Sequence, residues 1–134
     1  MNTTLILLAA AGLALAVAAL AGEGATKSNA PPSRHACFHG SQADGFASVD
    51  DQTVNLRVGV RDVYQLKLFA PCPDLDWNQS MALRSRGGSW ICEGIGLDID
   101  IFTHSPIGPQ RCPVTTVRKL TAAEITALPA KQRP

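Results

Sequence analysis

The chain has 134 residues, 12 of them basic and 11 acidic, for a net charge of +1. That length supplies one domain, and the balanced charge excludes a nucleic-acid binder or a lipid-surface protein that works through a large excess of Lys and Arg. The first 21 residues carry no charge at all, so the 46% apolar content of the whole chain overstates that of the remainder.

After Met1-Asn2-Thr3-Thr4 comes a run of mostly Leu and Ala from Leu5 that closes on Ala19-Leu20-Ala21. Small residues flanking a cleavage point behind an apolar core are what signal peptidase accepts, so residues 1–21 read as a secretory signal peptide cut after Ala21. The alternative is a retained N-terminal anchor, because no Lys or Arg precedes the run and the run is long for a signal core. No Cys follows the small residues, so nothing supports a lipid anchor. Residues 22–34, rich in Gly, Ser, Asn, Ala and Pro, read as a flexible linker. Residues 35–134 are then a single small domain whose tail beyond Leu128 is expected to fray.

The four cysteines, Cys37, Cys72, Cys92 and Cys112, all lie in that domain. An even count in a small exported domain is read first as two disulfides, each contributing about 2–4 kcal/mol. Three connectivities are possible. Fastening both ends of the domain favours Cys37 with Cys112 and Cys72 with Cys92. The alternation His35, Cys37, His39 would place three metal ligands on one face of a strand. A thiolate does not stay reduced outside the cytoplasm, and taking Cys37 as a ligand strands an odd cysteine, so a disulfide flanked by surface histidines is the better reading.

From Gly45 onward the dominant period is two, the signature of half-buried strands. Val54, Leu56 and Val58 alternate with polar residues, as do Tyr64, Leu66 and Leu68, which predicts a hairpin turning at residues 59–62. Ala70-Pro71-Cys72-Pro73 stops the second strand. Asp74, Asp76, Asn78 and Ser80 mimic the start of a calcium loop, but Gln79 stands where the turn needs Gly and Ser85 where the bidentate Glu should be. A polar connection is expected there instead. Residues 80–86 and 89–94 predict a second hairpin around Gly87-Gly88. Leu97, Ile99 and Ile101 follow in alternation with Asp98 and Asp100. Residues 105–110 form a turn-rich connection and residues 112–119 a last strand. Thr121 with Glu124 three residues on is a capping box that starts a short helix ending before Pro129.

Glu93, Asp98 and Asp100 are the candidates for paired hydrolase carboxylates. Asp98 and Asp100 fall on the solvent side of their strand, the ordinary place for solubilising charge. Arg84 and Arg86 beside the glycine turn are candidates for an anion site. No nucleophile elbow and no triad can be assembled.

Val63-Tyr64-Gln65-Leu66, Cys72-Pro73-Asp74-Leu75, Leu83-Arg84-Ser85-Arg86-Gly87, Ile91-Cys92-Glu93-Gly94, Pro109-Gln110-Arg111-Cys112-Pro113 and Val117-Arg118-Lys119-Leu120 occur in that order. In this succession the chain resembles a family of small exported bacterial proteins, domain of unknown function family 6491, over roughly Cys37 to Leu128. The resemblance implies a Gram-negative envelope setting and brings no activity or catalytic residue with it.

The expected fold is a mainly β domain of about five to six antiparallel strands, a small barrel or strongly bent sheet stapled by disulfides and closed by a short C-terminal helix. The expected protein is a periplasmic or secreted, non-enzymatic binding or structural module of the cell envelope. It is assigned no cofactor and no metal, no nucleic acid, no membrane once the signal is cleaved, and an unidentified envelope protein or ligand as partner. The alternative is a small periplasmic enzyme or inhibitor that uses Asp98, Asp100, Arg84 or Arg86 around a cleft.

Overall fold

A computed structural model describes residues 35–76 and 80–134. The leader, its cleavage point at Ala21 and the linker 22–34 lie outside the described residues, as does Asn78 of the calcium-like stretch.

The strands in chain order are β1 (Cys37–His39), β2 (Ala43–Asp50), β3 (Thr53–Val58), β4 (Asp62–Leu68), β5 (Ala82–Ser85), β6 (Trp90–Cys92), β7 (Gly94–Ile95), β8 (Ile99–Ser105) and β9 (Gly108–Lys119), followed by the helix α1 (Ala122–Ala127). Among these residues, no helix is long and apolar enough to cross a membrane. Seven strands form a curled half-barrel sheet in the order β2-β3-β4-β9-β8-β5, with β7 also paired to β9, while β1 and β6 make a separate two-stranded ribbon. Every pairing is antiparallel. The fold class expected from alternation is therefore found, built from more strands, with the last one reaching back to Gly108.

The β3–β4 hairpin is as expected. Leu56 stands opposite Tyr64 and Val54 opposite Leu66, so one face of the pair is apolar, and Gly59 takes the positive φ of 61° at the turn. These side chains line the concave interior with Ile99, Ile101, Cys112, Val114 and Val117, all buried. Gly96 lets the chain pass close over that core. A Cβ there would lie 2.9 Å from Val114 Cγ1 and 3.2 Å from Val117 Cγ2, tighter than a packed interior tolerates.

The second expected hairpin is not formed. The glycine turn is present, but β5 pairs with β8, Leu83 opposite Ile101, while β6 leaves the sheet to pair with β1. Ile91 in β6 is buried against the core, and Cys92 meets Cys37 directly across the β1–β6 ladder.

That register decides the disulfides. They join Cys37 with Cys92 and Cys72 with Cys112, correcting the end-to-end pairing of Cys37 with Cys112 and Cys72 with Cys92. Each bridge ties neighbours already brought together by the backbone: Cys72 follows β4, which lies beside β9, and Phe69 N–H donates to Pro113 C=O at 2.8 Å next to Cys112. No cysteine is free. Two disulfides suggest an oxidising, extracellular compartment.

The capping box forms as expected: Glu124 N–H donates to Thr121 Oγ1 at 3.2 Å and Thr121 N–H to Glu124 Oε2 at 2.8 Å. Beyond it the tail, expected to fray, has contacts of its own. A 3-10 turn at Ala130–Gln132 packs along β2, Asn55 Nδ2 donates to Gln132 C=O at 2.8 Å, and Arg133 donates to Leu128 C=O at 2.8 Å and Thr126 C=O at 3.1 Å. Asn55 sits on the convex side of β3 with no exposed surface, and a buried amide is stable only when its polar atoms are met. The tail supplies one partner, and Gln65 Nε2, 3.1 Å from Asn55 Oδ1, supplies the other.

Candidate functional site

The convex side of the other half of the sheet, formed by β5, β8 and the first half of β9, has no such cover among the described residues. Alternation along β8 sends Ile99, Ile101 and Thr103 inward, and Asp100, Phe102 and His104 outward. In register with them on the same side stand Ala82 and Arg84 from β5 and Arg111 and Pro113 from β9: Arg84 faces Asp100, and Phe102 faces both Ala82 and Arg111. Arg86, just past the end of β5, joins this group.

Asp100 lies at the centre. The expectation that it faces the solvent side holds for direction only, because it is 2% exposed. It is covered by arginine side chains rather than by core. Arg111 Nη2 lies 2.9 Å and Arg86 Nε 3.4 Å from the same carboxylate oxygen, Oδ2. Both arginines remain about half exposed. The other oxygen, Oδ1, is buried without a hydrogen-bond partner. Arg86 is fixed a second time by Nη2 donating to Leu97 C=O at 2.6 Å. Arg84 makes no ion pair among the described residues, and its guanidinium lies over the Phe102 ring, 5.7 Å from the centroid, within cation–π range.

The remaining carboxylates have structural partners. Asp98 Oδ2 accepts from Ser85 Oγ at 3.1 Å and packs against Gly87, where a Cβ would collide with it. Glu93 accepts from Ala36 N–H at 3.1 Å through Oε2 and from Lys119 N–H at 2.6 Å through Oε1. It therefore bridges the two-stranded ribbon and β9, with each oxygen engaged by a backbone amide. Of the sequence candidates, Arg84, Arg86 and Asp100 converge, Asp98 lies at the margin, and Glu93 is apart. They meet on an open sheet face rather than around a cleft.

Arg111 is the member that sequence reasoning missed. Its signal was present: Pro109, Arg111 and Pro113 alternate with Gln110, Cys112 and Val114, so extending the last strand back to Gly108 would have placed Arg111 on the outer face.

The histidine pair does not gather around a thiolate, because Cys37 is bridged and His39 Nδ1 lies 2.8 Å from Ser41 Oγ. Among the described residues no group of three or more His, Cys, Asp or Glu side chains is placed to hold a metal. A separate depression of about 290 Å³ opens between the sheet edges β2 and β5, lined by Phe46, Leu56, Met81 and Leu83 with Asp44 at its side.

A small disulfide-stapled half-barrel, with arginines gathered on a face left open by the described residues, is the class of protein that these features define. The chain belongs to the family of unknown function DUF6491, whose model matches residues 1–134. No curated protein and no solved structure matches it.

Proposed function

We propose that this is an exported, non-enzymatic binding module of the bacterial cell envelope, periplasmic or secreted, which engages its partner through the convex face of β5, β8 and β9. The observation that carries the reading is the contrast in cover. The C-terminal segment shields one half of the convex surface, while the other half presents Arg84, Arg86 and Arg111 around a buried Asp100. The carboxylates favour binding over proton transfer, since Asp100 is held by two guanidiniums, Asp98 by Ser85, and Glu93 by two backbone amides. The leader and the two disulfides support export.

The test places a photo-crosslinking residue at Ala82, on that face, or at Ala123, on the helix, in cells that make the full chain. The expected result is protein in the envelope fraction, beginning near Gly22, with no alkylatable thiol and with adducts from position 82 alone. Four reactive thiols, or equal adducts from both positions, would reject the proposal.

A further inference from the structure

We infer that the face formed by Arg84, Arg86 and Arg111 is a binding site for a phosphate-class oxyanion, with Asp100 as the residue that positions two of the three guanidiniums. This deepens the reading of that face as a binding surface, and it is tested independently of where the protein resides.

Burying a carboxylate is unfavourable by several kcal/mol unless it is well paired, and an apolar side chain of similar size often serves stability equally well. Asp100 is buried to 2% exposure, yet only one of its oxygens is engaged, and both partners approach that oxygen. The second oxygen is left without a donor while Arg84, its neighbour across the strand pair, lies over Phe102 instead. As a stabilising device this arrangement is incomplete. As a positioning device it is effective, because it fixes two flexible guanidiniums before any ligand arrives, which removes part of the ordering cost of binding.

The donors left over point to the ligand. Arg111 uses Nη2 on Asp100, and Arg86 uses Nε on Asp100 and Nη2 on Leu97 C=O, so both keep N–H groups for a partner, and both side chains are about half exposed. Arg84, on β5 two residues before Arg86, contributes a third guanidinium. The three arginines outnumber the nearby carboxylates Asp98 and Asp100, so the face stays electropositive even though the whole chain is nearly neutral. A carboxylate ligand has only two oxygens to share among three planar donors. A tetrahedral phosphate presents an oxygen to each, and guanidinium forks suit phosphate geometry. The exposed apolar side chain of Leu97, 61% exposed beside Arg86, would contact whatever bears the phosphate. A soluble ester and a lipid headgroup both carry such a phosphate, and the chemistry at the arginines is the same for both.

The test uses the protein purified with both bridges intact and inorganic phosphate as the probe, followed through the arginine Nε–H resonances. Saturable shifts are expected at Arg84, Arg86 and Arg111, with Arg57 and Arg118, engaged by Asp44 and Glu124, unmoved. Because Arg84 makes no ion pair among the described residues, R84Q should melt close to the parent and bind phosphate about tenfold more weakly, the loss of one charge-assisted contact. Flotation with phosphatidylcholine vesicles containing phosphatidylglycerol separates the sources. Flotation of the parent but not of R84Q assigns a headgroup phosphate, and saturable phosphate shifts without flotation assign a soluble ester. Absence of saturable shifts, or equal phosphate affinity in R84Q and the parent, overturns the inference.

Discussion

The two halves of the convex surface use the same raw material, polar side chains on the outward positions of strands, and arrive at opposite outcomes. Over β3, β4 and the end of β9 the polar groups satisfy one another in a chain. Gln132 C=O accepts from Asn55, Asn55 from Gln65, Gln65 from Arg118, and Arg118 pairs with Glu124, which caps α1. Over β5, β8 and the start of β9 a single buried carboxylate holds two arginines and leaves donors over. A closed network rigidifies what it covers, while an open one keeps donors for something outside the chain.

The two halves differ most in what they lose at Asp100. Replacing both Arg86 and Arg111 by Gln removes both charged partners of a buried carboxylate, and a loss of about 3–5 kcal/mol in chemical denaturation is expected. A loss below about 1 kcal/mol would mean that Asp100 escapes to water and that the arginines do not depend on it. Next in size is the Cys72–Cys112 bridge, which joins the stretch after β4 to β9. Changing both cysteines to Ser should lower stability by about 2–4 kcal/mol, read from the midpoint and slope of a urea transition.

On the covered half, Asn55→Ala leaves Gln132 C=O and the Gln65 amide without their shared partner. A loss of about 1–3 kcal/mol is expected, with faster tryptic cleavage after Lys131; unchanged cleavage would show that the tail is held by other contacts. Thr121→Ala removes only the cap and should be worth about 1 kcal/mol.

The smallest effect is one of pH. The hydrogen bond from Arg118, followed by those from Thr121, holds the Glu124 carboxyl down from 4.5 to about 2. A carboxyl lowered in the folded state stabilises above its ordinary range and loses that contribution as pH falls toward 2. The Thr121 amide resonance should therefore titrate with a midpoint near 2. A midpoint in the ordinary carboxylate range would detach Arg118 from the cap.

What the sequence made legible follows from how local each signal is. The β3–β4 hairpin and the Thr121 capping box are set by residues a few positions apart, and both form. Gly87-Gly88 marked a turn correctly, but whether β5 continues into β6 or pairs with β8 depends on where Ile91 finds apolar neighbours, which is a long-range matter. β2 was not singled out as a strand, because Ala43–Asp50 mixes small and polar residues and its alternation is weak beside that of β3 and β4. The disulfide pairing needed the β1–β6 register, and the basic face needed the β8–β9 register that puts Arg111 opposite Phe102. Net charge concealed that face, since acidic residues elsewhere cancel its arginines in the sum.

Glu93 has a consequence of its own. It meets two N–H groups, Ala36 on the ribbon side and Lys119 at the end of β9, with one oxygen each. Gln has almost the same shape but offers one acceptor and one donor, so an amide there must turn an N–H toward an N–H at one end or the other. The isosteric change is therefore the disruptive one, and the junction between ribbon and half-barrel is written in acceptor count rather than in size. A side chain of the right shape and the wrong hydrogen count would let the two sheets part.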